Sequence, residues 1–177
     1  MSGLKRRLVR TKQRSKIVAP DERRGVAVHE AGHVVMLELL GYGYDYVTVR
    51  HLGQGSGHVA LSPSFEPSRD RAGTRRTAMV LMAGALAQWL VLGAQAADAA
   101  VSGAGSDLAD AARLLRTITN DPGTVKPLLH ETLDMLRENE RAIRILAEAL
   151  MARERLTRAD VRLVLSGVAL SRGALGS

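Results

Sequence analysis

The segment Val26 to Met36, with the sequence VAVHEAGHVVM, constrains the fold more than any other part of the chain. Its apolar residues recur with helical spacing, so it predicts a buried α-helix. Residues four apart lie on one face of a helix, and His29 and His33 can therefore present two imidazole nitrogens to one metal ion. Glu30 follows His29 and can reach a water molecule held by that ion. The pattern predicts a zinc site in which Glu30 takes a proton from the attacking water.

The composition favours a single, mainly helical domain. A chain of 177 residues is long enough to bury a core, and 46% of its residues are hydrophobic. The core must be built from Leu, Val, Ala and Met, because the chain has one Phe, one Trp and three Tyr. It has no Cys, which excludes disulfides and thiolate ligands. A bound zinc ion must therefore be held by His and carboxylate side chains.

The positive charge is concentrated in the N-terminal tail, residues 1–18. Seven of the 25 Lys and Arg residues lie there and no acidic residue precedes Asp21, which leaves 18 basic against 18 acidic residues in the remainder. We interpret the tail as solvated and disordered, with contact to nucleic acid or an anionic membrane as the alternative. Because it lacks the apolar region of a secretory signal, we expect a cytoplasmic protein. Residues 19–170 are predicted to form the folded domain, and residues 171–177 a frayed C-terminus.

The remaining segments predict an α+β fold, mainly α with a small β-sheet. The predicted helices are 20–40, 77–93, 107–115, 124–155 with a break near 138–139, and 157–166 behind a capping box. Two β-rich runs, 46–50 and 57–61, are predicted to pair as a hairpin or a sheet edge. Residues 62–73 are predicted to form a loop. The apolar run 77–93 is about one turn short of the ~20 residues of a membrane span, so we interpret it as a buried core helix.

A catalytic zinc site requires a third protein ligand, and spacing alone does not choose it. The candidates outside the first helix are His51, His58, His130, Asp98, Asp107 and Asp110. Asp107 and Asp110 stand out because they open a predicted helix behind a flexible approach, residues 102–106. A short carboxylate at the start of a helix can reach across a pair of helices.

In their order along the chain, these motifs resemble the peptidase domain of FtsH-type ATP-dependent zinc metalloproteases. The matching segments are HEAGH at 29–33, VTV at 47–49, the glycine turn 53–57, GALAQ at 84–88 and SGAGSDL at 102–108. In that family the Asp of the last segment is the third zinc ligand, which implies Asp107 here, beside His29 and His33. The resemblance covers residues 20–167 and implies an FtsH-like helical peptidase fold that hydrolyses peptide bonds with Zn²⁺.

The resemblance further supports an edge strand formed by Val47, Thr48 and Val49, to which an extended peptide substrate would add by backbone hydrogen bonds. The sequence departs from the family in three ways. Gln88 stands where the family has an acidic residue, the segment after the Asp107 helix is shorter, and no phosphate-loop motif of an ATPase occurs. We therefore expect a stand-alone zinc peptidase acting on unfolded or flexible polypeptides. The resemblance implies that it forms a homo-oligomer, with six subunits as in the family, or that it works with a separate ATPase partner.

Two other functions are compatible with the sequence. A non-catalytic, metal-bound module of a larger protease complex would bind zinc without turnover, but the intact Glu30 favours an enzyme. A nucleic-acid-associated regulator would depend on the basic tail, and its salt-sensitive binding would vanish on deletion of the residues before Ile17. His and carboxylate ligands also suit other divalent ions, so the sequence does not by itself select zinc.

Overall fold

The computed structural model describes residues 20–49, 57–63, 70–94, 105–119 and 121–172. The helices among them are α1 (Pro20–Leu40), α2 (Arg71–Leu92), α3 (Gly105–Leu115), α4 (Val125–Glu138), α5 (Glu140–Arg153) and α6 (Arg158–Val164). The strands are β1 (Tyr44–Thr48), β2 (His58–Leu61) and β3 (Arg155–Thr157). The predicted class, mainly α with a small sheet, is confirmed for this part of the chain. The tail 1–18, His51, Asp98 and the C-terminal residues 173–177 lie outside it.

Helix α1 is the central element, and it begins and ends where the sequence predicted. Its middle is buried, with Ala27, Val34 and Val35 fully inaccessible to solvent, because α2 packs on one side and α5 on another. The helix ends at Gly41, whose φ of 73° is a left-handed conformation that glycine adopts without a Cβ clash. A buried central helix holds its side chains in fixed positions, which suits a metal site.

The close approach of α1 and α2 depends on Gly32. A Cβ added there would lie 2.5 Å from the Cβ of Ala87 and 2.6 Å from the carbonyl oxygen of Ala83, both on α2. A larger residue at this position would hold the two helices apart. The contact brings α2 directly beside His29 and His33.

The sheet has the strand order β2-β1-β3, with both pairs antiparallel. The predicted hairpin of two β-rich runs is confirmed, although β1 lies two residues earlier than expected. The interpretation of Val47, Thr48 and Val49 as an edge strand is wrong, because Val47 pairs with Val59 on one side and with Leu156 on the other. The backbone N–H of Val49 also donates to the carbonyl oxygen of Glu154 at 2.9 Å. This stretch therefore has no free edge for a substrate.

The third strand was not predicted. Helix α5 ends at Glu154, whose φ of 63° turns the chain sharply, and three residues then pair with β1. Leu156 is fully buried in the core and is flanked by exposed neighbours. Three residues are too few for an alternating pattern to be recognised in a sequence. The capping box at Thr157 and Asp160 that opens α6 is confirmed.

The start of α2 and the break between α4 and α5 also bear on the predictions. Helix α2 starts at Arg71 rather than near Thr77, because the Asp70 side chain accepts a hydrogen bond from the backbone of Gly73 and caps two polar turns. The predicted break between α4 and α5 occurs at Asn139, which is buried. In the part of the chain that the structure describes, no helix is both long and apolar enough to cross a membrane.

Candidate metal centre

The structure brings together the three residues predicted to bind the metal. The Nε2 atom of His29 lies 3.0 Å from that of His33, and the Oδ2 atom of Asp107 lies 3.0 Å from the first and 3.2 Å from the second. Ligand atoms of a tetrahedral zinc ion, each about 2.0–2.1 Å from the metal, are separated by about 3.3 Å. The three atoms thus form a triangle of the size that one zinc ion requires.

The far side of each imidazole is held by a hydrogen bond. The Nδ1 atom of His29 faces the Oε1 atom of Gln88 at 3.1 Å, and the Nδ1 atom of His33 faces the carbonyl oxygen of Val80 at 2.7 Å. Both partners are acceptors, so each Nδ1 carries the proton and each Nε2 presents a lone pair to the triangle. This is the tautomer needed for metal binding, and both partners lie on α2.

The chemistry of the triangle favours a cation. Two imidazole lone pairs and a carboxylate oxygen are all acceptors, and together they repel one another unless positive charge lies between them. Burial alone would lower the pKa of His33, but contact with Asp107 and the charge of Glu30 outweigh burial and raise it. Burial likewise opposes ionisation of Asp107, yet the contacts with His29 and His33 hold the pKa of that carboxyl well below its usual range. The residues present fit a divalent metal.

Glu30 lies beside the triangle and is 6% exposed. Burial raises the pKa of its carboxyl, partly offset by the neighbouring His33 and His29. Its Oε1 atom is directly against the start of β2, since a Cβ added at Gly57 would lie 2.9 Å from that atom. The carboxylate therefore stands between the predicted metal ligands and one strand of the sheet.

Gly84 is the first residue of the GALAQ segment, to which no individual role was assigned from the sequence. In the structure it is buried in α2, opposite the two histidines. A Cβ added at Gly84 would lie 2.5 Å from Nε2 of His29 and 2.6 Å from Nε2 of His33. The absence of a side chain keeps open the space in which the two ligand nitrogens converge. The GALAQ match placed this residue in a motif, but sequence spacing gave no sign of this role.

The other candidates for the third ligand are separate from the triangle wherever they are described. Asp110 forms an ion pair with Arg113 at 2.9 Å, and His130 is exposed on α4. The Nε2 atom of His58 lies 3.2 Å from the hydroxyl of Tyr46 on the sheet. Of the described His, Asp and Glu residues, the group able to hold a metal ion is His29, His33 and Asp107. That they do so stays a prediction.

Gln88 stands at the position where the FtsH-type family has an acidic residue, and its side chain forms a hydrogen bond with His29. Its amide oxygen accepts from the imidazole, and its Nε2 donates to the carbonyl oxygen of Gly25 at 2.9 Å. A carboxylate could make the first hydrogen bond but not the second. Gln88, on α2, thus forms hydrogen bonds with both His29 and the backbone of the first turns of α1.

Replacement of Gln88 by Leu is expected to weaken zinc binding about 10- to 100-fold, because the His29 ring loses the acceptor that fixes its orientation. Gln88→Glu restores an acceptor and serves as the matched control, with affinity close to that of the unmodified protein. Competition with a chromogenic chelator measures both values, and circular dichroism checks the fold. Equal zinc affinity in the Leu and Glu variants would contradict the orienting role of Gln88.

The chain is similar over part of its length to a known zinc metalloprotease. No protein-family model matches it. It is 32% identical over 122 residues to ATP-dependent zinc metalloprotease FtsH 4 of Sorangium cellulosum (strain So ce56). The aligned region covers 66% of this chain but 18% of that relative. The similarity is therefore a distant one, to a small part of an FtsH-type zinc metalloprotease.

Proposed function

We propose that this chain is a zinc-dependent metallopeptidase that hydrolyses peptide bonds in unfolded or flexible polypeptides. The observation that carries the proposal is the triangle of ligand atoms from His29, His33 and Asp107, with the buried Glu30 beside it. Three protein ligands leave a fourth tetrahedral position for water, which is typical of catalytic zinc. The name of the relative, a zinc metalloprotease, supports the same reaction class.

Each residue of the site has a separate task in this reaction. Zinc held by His29, His33 and Asp107 would polarise the scissile carbonyl and acidify a water molecule. Glu30 accepts one proton from that water as its oxygen bonds to the carbonyl carbon, and returns the proton to the amide nitrogen as the C–N bond breaks. Gln88 and the Val80 carbonyl keep the imidazole rings in place. Hydrolysis consumes one water molecule and yields a carboxylate and a protonated amine, since both protons of the water end on the nitrogen.

The outer edge of β2 is the strand edge that we propose for the substrate. Strand β2 pairs with β1 on one side, and its other edge has no partner strand among the described residues. Gly57 lies directly before β2, and a Cβ added there would lie 2.9 Å from Oε1 of Glu30, so we expect a polypeptide paired with β2 to pass near the proposed general base. Such pairing requires an extended backbone, which unfolded segments and flexible termini can supply.

Hydrolysis itself needs no nucleotide, since the proposed ligands and base all lie in this chain. An ATPase on a separate chain would contribute upstream by delivering unfolded polypeptide. Cleavage of an already unfolded polypeptide should therefore proceed without ATP. A hexamer of this chain is the assembly that the resemblance implies.

Removal of zinc is expected to abolish cleavage of a chemically unfolded protein, and equimolar zinc is expected to restore it. The reaction is followed by mass spectrometry of the products in the absence of ATP. Zinc at about 100 times its Kd should also stabilise the fold by about 2.7 kcal/mol, measured as a rise in Tm. A zinc-loaded, folded protein that cuts no unfolded substrate would contradict the enzyme and favour a metal-bound interaction module.

A further inference from the structure

A basic cluster crosses the outer face of the sheet toward β2. The guanidinium carbon of Arg155, on β3, lies 3.7 Å above the ring centroid of Tyr46, on β1. The hydroxyl of Tyr46 is 3.2 Å from Nε2 of His58, on β2, and the two rings meet edge to face. The cation–π contact and the hydrogen bond connect the three side chains into one continuous row of contacts. It runs from the far strand to the strand nearest the metal centre.

The register of the sheet determines which way this cluster faces. Thr48 pairs with His58 on one side and with Arg155 on the other, so these residues form one row across the sheet. The row next to it, Val47 with Val59 and Leu156, faces the core. Side chains alternate between faces along each strand, so His58 and Arg155 lie on the face away from the core.

The cluster is one residue from the proposed reaction centre. A Cβ added at Gly57 would lie 2.9 Å from Oε1 of Glu30, and His58 follows Gly57 at the start of β2. On a polypeptide paired with the edge of β2, we expect the residue opposite Gly57 to be the one nearest to Glu30. Its neighbour would lie opposite His58, with its side chain on the same outer face and about 5 Å away.

The positive charge of this cluster comes from Arg155, and His58 also interacts electrostatically with the buried Glu30. Arg155 is exposed, and within the described ranges no carboxylate forms an ion pair with Arg155 or His58. The Tyr46 hydroxyl can donate to Nε2 of His58; the Nδ1–H, which has no acceptor among the described residues, can then donate to a ligand. The imidazole N–H can donate to a carboxylate, and the guanidinium of Arg155, two strands away beyond the Tyr46 ring, adds positive charge to the same face.

We propose that His58, positioned by Tyr46 and aided by the charge of Arg155, selects an acidic side chain next to the scissile bond. The subsite rests on the proposed peptidase function and specifies its substrate class: unfolded polypeptides with Asp or Glu beside the cut. Neutral side chains at that position bind without the N–H contact and without the attraction of the guanidinium.

Cleavage-site mapping on a chemically unfolded protein tests the subsite during turnover. The unmodified, zinc-loaded protein is expected to cut with Asp or Glu enriched at one position beside the cut bond. Arg155→Gln and His58→Gln are expected to lose that enrichment while still cutting. Arg141→Gln is the matched control, because Arg141 is exposed on α5, away from the sheet, and its loss removes the same charge. Cutting without acidic enrichment by the unmodified protein would overturn the subsite and leave the peptidase intact.

Binding tests the same preference without turnover. Zinc-loaded Glu30→Gln protein is titrated with two fluorescein-labelled extended peptides that differ only by Glu or Gln at one position. The Glu peptide is expected to bind about tenfold more tightly, and Arg155→Gln added to this protein is expected to remove the difference. If the Glu peptide binds more tightly but the unmodified, zinc-loaded protein cuts no substrate, the subsite is retained and the peptidase function is rejected. Equal affinities, or no binding of either peptide, would overturn the subsite.

Discussion

The Glu30→Gln variant is expected to keep its fold and its zinc while losing peptide hydrolysis by at least about 10²- to 10⁴-fold. The amide has nearly the shape of the carboxylate it replaces, so the buried space beside the metal ligands stays filled. An amide cannot accept the proton of the attacking water, however, and Asp107, the carboxylate of the described triangle, is proposed as a ligand rather than a base. Initial rates of peptide release measure the loss, and metal analysis by mass spectrometry measures zinc content.

Glu22→Gln is the matched control for that experiment. Glu22 is exposed near the start of the same helix, so the same chemical change is made far from the site. Its rate and zinc content should equal those of the unmodified protein. If Glu30→Gln cleaves as fast as Glu22→Gln, the base lies elsewhere and the role proposed for Glu30 is wrong. If both lose zinc, the comparison instead reveals a structural effect on α1.

Features encoded within a few neighbouring residues could be predicted from the sequence. Helix α1 and its two histidines follow from a single apolar pattern with i and i+4 spacing. The turn at Gly41, the break at Asn139 and the capping box at Thr157 each depend on residues that act on their own backbone. Asp107 required more, because it lies 74 residues beyond His33, and the resemblance rather than the spacing distinguished it.

Features that depend on distant parts of the chain could not be predicted. Strand β1 is central because β3, more than 100 residues later, pairs with its second side, and nothing in β1 itself signals that partner. Val80 supports His33 through a backbone carbonyl, which every residue possesses. The start of α2 was placed too late because its first two turns are polar, and hydrophobic periodicity does not detect such turns.

Replacement of Gly84 by Ala is expected to abolish zinc binding, and with it hydrolysis, while the fold survives. The added methyl would lie 2.5 Å from Nε2 of His29 and 2.6 Å from Nε2 of His33, closer than van der Waals contact permits. These nitrogens are at the ends of side chains, so the rings can rotate away without unfolding α1 or α2. Once they rotate, they no longer converge on one metal position. Alanine also favours the helix over glycine by about 1 kcal/mol, which offsets part of the crowding.

Gly25→Ala separates this effect from a general response of a helical glycine to an added methyl. Its Cβ would lie 3.7 Å from the nearest described atom, Nε2 of Gln88, which is ordinary contact. We expect Gly25→Ala to bind zinc normally and to be as stable as the unmodified protein, or more so by about 0.4–1 kcal/mol. Zinc titration and thermal unfolding of the two variants provide the measurement. Full zinc affinity in Gly84→Ala would mean that the ligand nitrogens converge somewhere other than the space beside Gly84, and the metal centre described above would be wrong.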